Sequence, residues 1–193
     1  EAFSSQEGLR HVIKVYIGAF GPVTVGDISL WLGGYARRQV VAALMSLSDK
    51  LERVQIANSQ GVYYVRKEEV EALQSYTYAE HNVSLLPPHD TYPTAYSDTS
   101  RFLSKHYRER VFDRVGEPLG TVWLDGHIVG IWNPQPRDEH IQVRLFEPLP
   151  PNIVALVGEE TRHLNRFLNY ASFDIEMEET GERELPEMER ALA

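Results

Sequence analysis

The stretch TVWLDGHIVGIW, residues 121–132, constrains the fold of this chain more than any other part of the sequence. Its Asp125-Gly126 dipeptide lies between two short apolar runs, and this is the strongest short-range signal for a β-hairpin with a two-residue turn. Both faces of the hairpin would be apolar, whereas a sheet that exposes one face to water alternates apolar and polar residues. The hairpin could therefore be part of a core, a partner surface or a wedge into nucleic acid.

The register of this hairpin follows from its turn. Pairing outward from Asp125-Gly126 matches Leu124 with His127 and Thr121 with Gly130, and it places Trp123 and Trp132 on one face. Gly130 leaves room between the two indole rings, which favours packing over intercalation. We therefore predict that the hairpin is part of the hydrophobic core. One of its faces would line the interior of a barrel, and a helix would cover the other face.

The first part of the chain predicts three helices followed by a hairpin. Apolar residues repeat at helical spacing from Ser4 to Gly21, and Thr24 with Asp27 resembles the capping box of a second helix. A third helix is predicted over about residues 36–47, after Gly33-Gly34, and the apolar runs LERVQI and VYYV then form a hairpin. This order is that of a winged helix-turn-helix domain, predicted over residues 1–75.

The rest of the chain predicts a second domain, over residues 82–175. Prolines follow its first apolar run, a polar helix is predicted over residues 101–112, and residues 140–146 alternate as a strand does. A helix over about residues 152–170 would cover the sheet. The predicted fold class is α+β: a winged helix-turn-helix followed by a small β-barrel-like domain with covering helices. Residues 176–193, rich in glutamate, are predicted to be an acidic and flexible tail.

Composition limits the class of protein. The sequence has no cysteine, which excludes disulfides and thiolate chemistry and favours a reducing cytoplasm. No apolar run approaches the roughly 18 residues that a membrane span needs. The formal net charge is −9 without any basic block, so we expect weak DNA binding by this chain alone. Because the chain begins at Glu1 and already reads as helix there, we expect a fragment of a longer protein.

Three stretches together resemble the AlkZ/YcaQ-type winged-helix DNA glycosylases. They are IGAFGPVTVGDISLWL at residues 17–32, SLLPPHD at 84–90 and VWLDGHIVGIW at 122–132, in the order and spacing of that family. The resemblance implies tandem winged helices followed by a small β-barrel, in a protein that clasps duplex DNA and excises alkylated bases or unhooks crosslinks. It also implies a catalytic Gln-x-Gln or Gln-x-Asp element, which this sequence lacks. The chain would then be the DNA-gripping C-terminal portion, with catalysis upstream and no catalytic residue of its own.

The candidate DNA-binding residues are polar or cationic side chains in three places. The first turn of the third helix would enter the major groove, and residues beside the hairpin tip could reach a phosphate. In the predicted helix from residue 101, cations spaced i, i+4 and i+7 would share one face and could follow a phosphate backbone. Each set could equally be an ordinary solvated surface. The candidates are Tyr35, Arg37, Arg38, Gln39, Arg53, Gln60, Arg101, Lys105 and Arg108.

No other chemistry is indicated by the sequence. His89-Asp90 has no further histidine or carboxylate at metal-ligand spacing, and the chain contains no phosphate-binding glycine loop, GxSxG or HExxH sequence. We predict no cofactor, no metal, no membrane contact, and double-stranded DNA as the partner; the oligomeric state is not predicted. The alternative is a non-enzymatic winged-helix regulator of transcription type, or a protein-interaction module.

Overall fold

The computed structural model describes residues 4–57, 59, 61–77 and 80–178. The chain divides into two units. The first comprises the described part of residues 1–79 together with Asp90–Lys105, and the second comprises Glu80–His89 together with the described part of residues 106–193. The chain therefore enters the second unit, returns to the first and leaves it again. The domain boundaries predicted from the sequence stay predictions, and from residue 179 onward the predicted tail lies outside the described residues.

The first two helices of the first unit begin at side-chain caps, as the sequence predicted. Ser4 and Glu7 form a capping box in which each side chain accepts the other residue's backbone N–H, and Thr24 and Asp27 form a second one. The first helix ends at Gly21, as predicted. The helices of this unit are α1 (Ser5–Phe20), α2 (Val25–Trp31), α3 (Arg37–Ser46), α4 (Val70–Ser75) and α5 (Thr91–Thr94).

A small antiparallel sheet follows α3 in the first unit. Its strands are β1 (Leu51–Val54) and β2 (Tyr63–Arg66), and Val23 adds a single bridge to Tyr64. Apolar side chains of α1, α3 and β2 are fully buried together with Val23 in this unit. Burial of these side chains supplies most of the stability of such a small unit. The order of three helices and a hairpin is the one from which the first domain was predicted.

The second unit is built on one five-stranded sheet in the order β3-β4-β5-β6-β7. The first four strands are antiparallel, whereas β7 runs parallel to β6, so the helix between them crosses one face of the sheet. On that face Val157 of the helix packs into a buried cluster with Val122, Trp132 and Val143. The elements are β3 (Val83–Leu86), α6 (Arg108–Val111), β4 (Gly120–Leu124), β5 (His127–Gln135), β6 (His140–Leu145), α7 (Pro151–Leu168) and β7 (Ser172–Met177).

The predicted barrel is not closed. The sheet is open, with β3 and β7 as its two edges among the described strands. A barrel needs its first and last strands to pair, which here would require β3 to reach β7. Because α7 covers the apolar face, the sheet buries its core without closing. The α+β class and the covering helix are as predicted.

The predicted register of the β4–β5 hairpin is correct only next to its turn. Leu124 pairs with His127, but a β-bulge between Val122 and Trp123 shifts the register, so that Val122 pairs with Gly130. The extra residue reverses which side chains share a face beyond that point. Trp132 therefore lies on the core face with Val122, and the prediction that it shares a face with Trp123 is wrong.

The predicted polar helix over residues 101–112 does not form. The structure has two short 3-10 turns, Thr99–Arg101 and Lys105–Tyr107, followed by α6. The chain passes between units after Lys105, and the apolar residues of this segment belong to different units: Phe102 and Leu103 are buried in the first, and Val111 in the second. The segment therefore contributes to two separate cores and is not one continuous helix. No helix among the described residues is long and apolar enough to cross a membrane.

Asp125 fixes the turn of the hairpin and also the start of β3. Both Asp125, with a φ of 49°, and Gly126, with a φ of 80°, have positive φ values. This is the conformation that two-residue hairpin turns require. The Asp125 carboxylate accepts the Asn82 backbone N–H at 2.8 Å and lies 2.7 Å from His81 Nδ1. These two interactions, the Asn82 N–H first, lower the pKa of the Asp125 carboxyl, and one side chain thereby joins the turn to the edge strand β3.

We expect Asp125→Asn to make the chain less stable at neutral pH, with an effect that fades in acid. Asparagine tolerates the positive φ but removes the charged acceptor. A carboxyl with a lowered folded-state pKa contributes stability that is present above its unfolded-state pKa of about 4 and is lost as the pH falls through the folded value. Urea unfolding midpoints of both proteins, measured from neutral pH into acid, should converge at low pH. A constant difference would contradict this role.

Candidate nucleic-acid interface

The turn between α2 and α3 is fixed by glycines and by one serine. Gly33 and Gly34 have φ values of 73° and 83°. Residues other than glycine rarely adopt such values. The Ser29 carbonyl accepts the N–H groups of Gly34 and Tyr35, and the Ser29 hydroxyl donates to the Tyr35 carbonyl at 2.5 Å. Tyr35 is thereby held just before the N-cap of α3, outside the first turn in which the sequence had placed it.

The first turn of α3 presents polar side chains and free backbone donors. Its N-cap is Ala36, and no side chain caps the helix, so the N–H groups of the first turn have no side-chain acceptor. Arg37, Arg38 and Gln39 are all exposed. Such a helix end attracts anions, and the two guanidinium groups add positive charge. The arrangement can hold a phosphate or read the edge of a base.

Tyr35 and Gln39 also line a cleft of about 240 Å³ between α1 and α3. The α1 wall of the cleft includes Gln6 and Arg10. Sequence reasoning missed Arg10, although Gln6 and Arg10 are spaced i and i+4 and therefore had to share one face of the predicted helix. The cleft brings a third guanidinium group into the neighbourhood of the first turn of α3.

Asp27 is a carboxylate buried to 3% exposure that connects α2 to the segment 90–105. One oxygen accepts the Thr24 backbone N–H at 2.8 Å, and the other accepts the backbone N–H and the hydroxyl of Ser97 at 2.7 and 2.6 Å. A methyl group added at Gly26 would lie 3.0 Å from a terminal nitrogen of Arg37 and 3.2 Å from the Ser97 hydroxyl. The Arg37 guanidinium therefore lies beside the Asp27–Ser97 connection.

Arg101 and Lys105 lie in the same returning segment. Arg101 donates to the Pro22 carbonyl at 3.0 Å, and its guanidinium lies 4.6 Å from the centre of the Tyr96 ring. Hydrogen bonds from Ser100 lower the pKa of the Asp98 carboxyl, and the charges of Lys105 and Arg101 lower it further. Ser97, which precedes Arg101 and Lys105 in this segment, thus lies beside the Arg37 guanidinium.

Two buried phenols anchor this segment to α1. The Tyr16 hydroxyl donates to the Ala95 carbonyl, and the Tyr96 hydroxyl donates to the Phe20 carbonyl at 3.0 Å. Burial is the main cause that raises the pKa of both phenols, so they stay neutral donors at physiological pH. Together with the Asp27–Ser97 connection, these bonds hold the segment against both α1 and α2.

The remaining candidates lie apart from these residues or outside the described chain. Arg53 lies on β1 in a groove with Met45 and Lys67, beside the last turn of α3, and Gln60 lies outside the described residues. Arg108 belongs to the second unit, where its guanidinium lies 4.8 Å from the centre of the Phe112 ring. Since the helix over residues 101–112 does not form, the predicted face of Arg101, Lys105 and Arg108 is wrong. Within the described chain, no group of three or more His, Asp or Glu residues could hold a metal ion.

Comparisons with known proteins identify a family with this architecture. The family model described as DNA glycosylase AlkZ-like matches residues 1–167. Among solved structures, Streptomyces sahachiroi DNA glycosylase AlkZ has a TM-score of 0.77 and 24% sequence identity, covering 92% of this chain and 47% of that one. This likeness shows the fold, and the chain spans about half the length of the protein it matches. No curated protein matches the sequence.

We expect Asp27→Ala to destabilise the first unit by about 2–4 kcal/mol. The substitution removes the Asp27 half of the capping box, worth up to about 1 kcal/mol, and leaves the buried donors that it served without an acceptor. Ser97→Ala removes only one of those donors and should cost about 1 kcal/mol. Urea unfolding followed by circular dichroism measures both free energies. Equal losses for the two variants would show that Asp27 acts through Ser97 alone.

Proposed function

We propose that this chain, which belongs to the AlkZ-like DNA glycosylase family, grips duplex DNA through its first unit. The whole protein would be a repair enzyme that excises alkylated bases or unhooks crosslinks. The observation that carries the proposal is the uncapped first turn of α3, with Arg37 and Arg38 exposed on it. Helix ends of this kind bind phosphates and enter the major groove in helix-turn-helix proteins.

The proposal assigns a winged-helix role to the first unit. In this interpretation α3 is the recognition helix, α2 crosses the DNA backbone, and the β1–β2 hairpin is the wing. Arg37, Arg101 and Lys105 would contact the phosphates beside α3, because Ser97, in the segment that carries the last two, lies beside Arg37. Arg53 lies near Leu44, toward the opposite end of α3 from Arg37. We therefore leave Arg53 out of the proposed interface.

This chain alone should bind DNA weakly, and its affinity should fall as the salt concentration rises. Affinity for DNA rises with the number of phosphates that cations neutralise, and it falls with salt in proportion to that number. Here the proposed contacts are few, and the formal net charge of the chain is −9. An acidic protein depends on local cations, because its overall field repels DNA. Most of the affinity of the whole protein would then come from parts other than this chain.

We expect Arg38→Gln to lower duplex affinity and to reduce the slope of log affinity against log salt by about 1. Fluorescence anisotropy with a labelled duplex, over a series of salt concentrations, measures both quantities. Arg53→Gln is the matched control, because it removes the same charge from the same unit, and it should leave the slope unchanged. Equal effects of the two variants would contradict the assignment of α3, and absent DNA binding would favour a protein-interaction module.

We also expect this chain alone to release no base from an alkylated duplex. It lacks the Gln-x-Gln or Gln-x-Asp element that the family resemblance implies, so the chemistry would lie in another part of the protein. The measurement is chromatography of free bases after incubation with methylated duplex DNA. Release by the 193-residue chain would overturn the division of roles proposed here.

A further inference from the structure

A cleft of about 280 Å³ lies on the second unit, at the face of the sheet opposite α7. Side chains alternate between the two faces of a strand, so Ile131 and Asn133 of β5, and Gln142 and Arg144 of β6, point away from the core that α7 covers. All four line the cleft. No carboxylate is among its lining residues, in a chain with an excess of acidic groups.

The polar groups of the cleft converge in a fixed pattern. Asn133 lies directly opposite Gln142 in the ladder, and Ile131 lies opposite Arg144. Directly opposed side chains begin about 5 Å apart, so the two amides and the guanidinium form one compact set. Within the described chain, neither side-chain amide has a hydrogen-bond partner. Arg144 Nε lies 3.8 Å from a carboxylate oxygen of Glu176. This is an ion pair without a hydrogen bond, so the guanidinium N–H groups could still donate to a phosphate.

The walls of the cleft are apolar and held in place. Pro88 and Leu119 supply apolar lining, and Leu119 is 41% exposed. Trp132, whose side chain packs on the core face, also borders the cleft, and its indole N–H donates to the Leu86 carbonyl at 2.8 Å. A methyl group at Gly120 would lie 2.5 Å from the Trp132 carbonyl oxygen, so a larger residue cannot occupy that site. The cleft is therefore preformed.

We propose that this cleft binds an unpaired nucleobase of the DNA, with adenine as the best fit and Arg144 on the adjacent phosphate. Small-molecule sites combine apolar walls with a few convergent polar groups. An amide both donates and accepts, as the exposed edge of adenine does, and a guanidinium group matches a phosphate. Only a base outside the double helix presents its flat faces to Pro88 and Leu119. That the base belongs to DNA rests on the proposed function.

The test is a titration of the full 193-residue chain with deoxyadenosine monophosphate, followed by the backbone amide signals in heteronuclear NMR. We expect shifts at residues 131–133 and 142–144, smaller ones with deoxyadenosine, and shifts confined to Arg144 and its neighbours with inorganic phosphate. Thymidine monophosphate should bind more weakly, because its single ring covers less of the apolar walls than the double ring of adenine does. No shift at these residues, or equal binding of the two nucleotides, would overturn the proposal.

Matched variants test whether the nucleotide binds in the cleft and not elsewhere on the surface. Asn133→Ala and Gln142→Ala should each weaken deoxyadenosine monophosphate binding by about tenfold, since a good amide–adenine pair contributes about that factor or more. Gln135→Ala is the control. Gln135 lies on the same face of β5, opposite His140 and outside the cleft. This variant should bind deoxyadenosine monophosphate as the wild type does. Equal losses of nucleotide affinity in all three variants would contradict specific binding in the cleft. Unfolding midpoints confirm that each variant is folded.

Duplex binding and nucleotide binding, measured separately, distinguish a failure of the cleft proposal from a failure of the proposed function. Arg38→Gln should weaken duplex binding but leave nucleotide binding in the cleft unchanged, because the residue is in the other unit. Nucleotide binding without duplex binding would refute the proposed function and support the cleft. Duplex binding without nucleotide binding would refute the cleft alone.

Discussion

The burial of one carboxylate organises the first unit. A buried carboxylate is stable only when hydrogen bonds replace the water it has lost. Asp27 satisfies this requirement with Thr24 at the start of α2 and with Ser97, which is 70 residues away in sequence. The contact fixes Ser97, in the segment that carries Arg101 and Lys105, against the start of α2. The proposed DNA-binding surface depends on that contact, although Asp27 itself would never touch DNA.

The number of cations in this chain overstates the positive surface available to a partner. Arg110 pairs with Glu178 while lying 4.6 Å from the centre of the Phe146 ring. The Arg66 guanidinium occupies the space that a side chain at Gly18 would fill. Such groups stabilise the fold through packing as much as through charge. Any DNA contact would rest on a smaller set, led by Arg38 and Arg37.

Local signals in the sequence predicted most of the elements, and long-range contacts account for what it missed. The Thr24–Asp27 cap and the Asp125-Gly126 turn depend on neighbours in the chain, and both were found. The bulge beside Trp123 leaves no mark on the apolar pattern, because both faces of the hairpin are apolar. For the candidate site, the position of the first turn of α3 was predictable. The contact of Arg101 with Pro22, across 79 residues, was not.

The double role of Asp125 has a consequence for the order in which the second unit folds. The β4–β5 hairpin closes through a two-residue loop, which costs little chain entropy and forms quickly. The bond from Asn82 to Asp125 spans 43 residues and cannot form until a much longer loop has closed. The turn therefore presents its acceptor before β3 arrives. The β4–β5 hairpin, which forms fastest, thus provides the edge to which β3, the slowest strand to pair, is added.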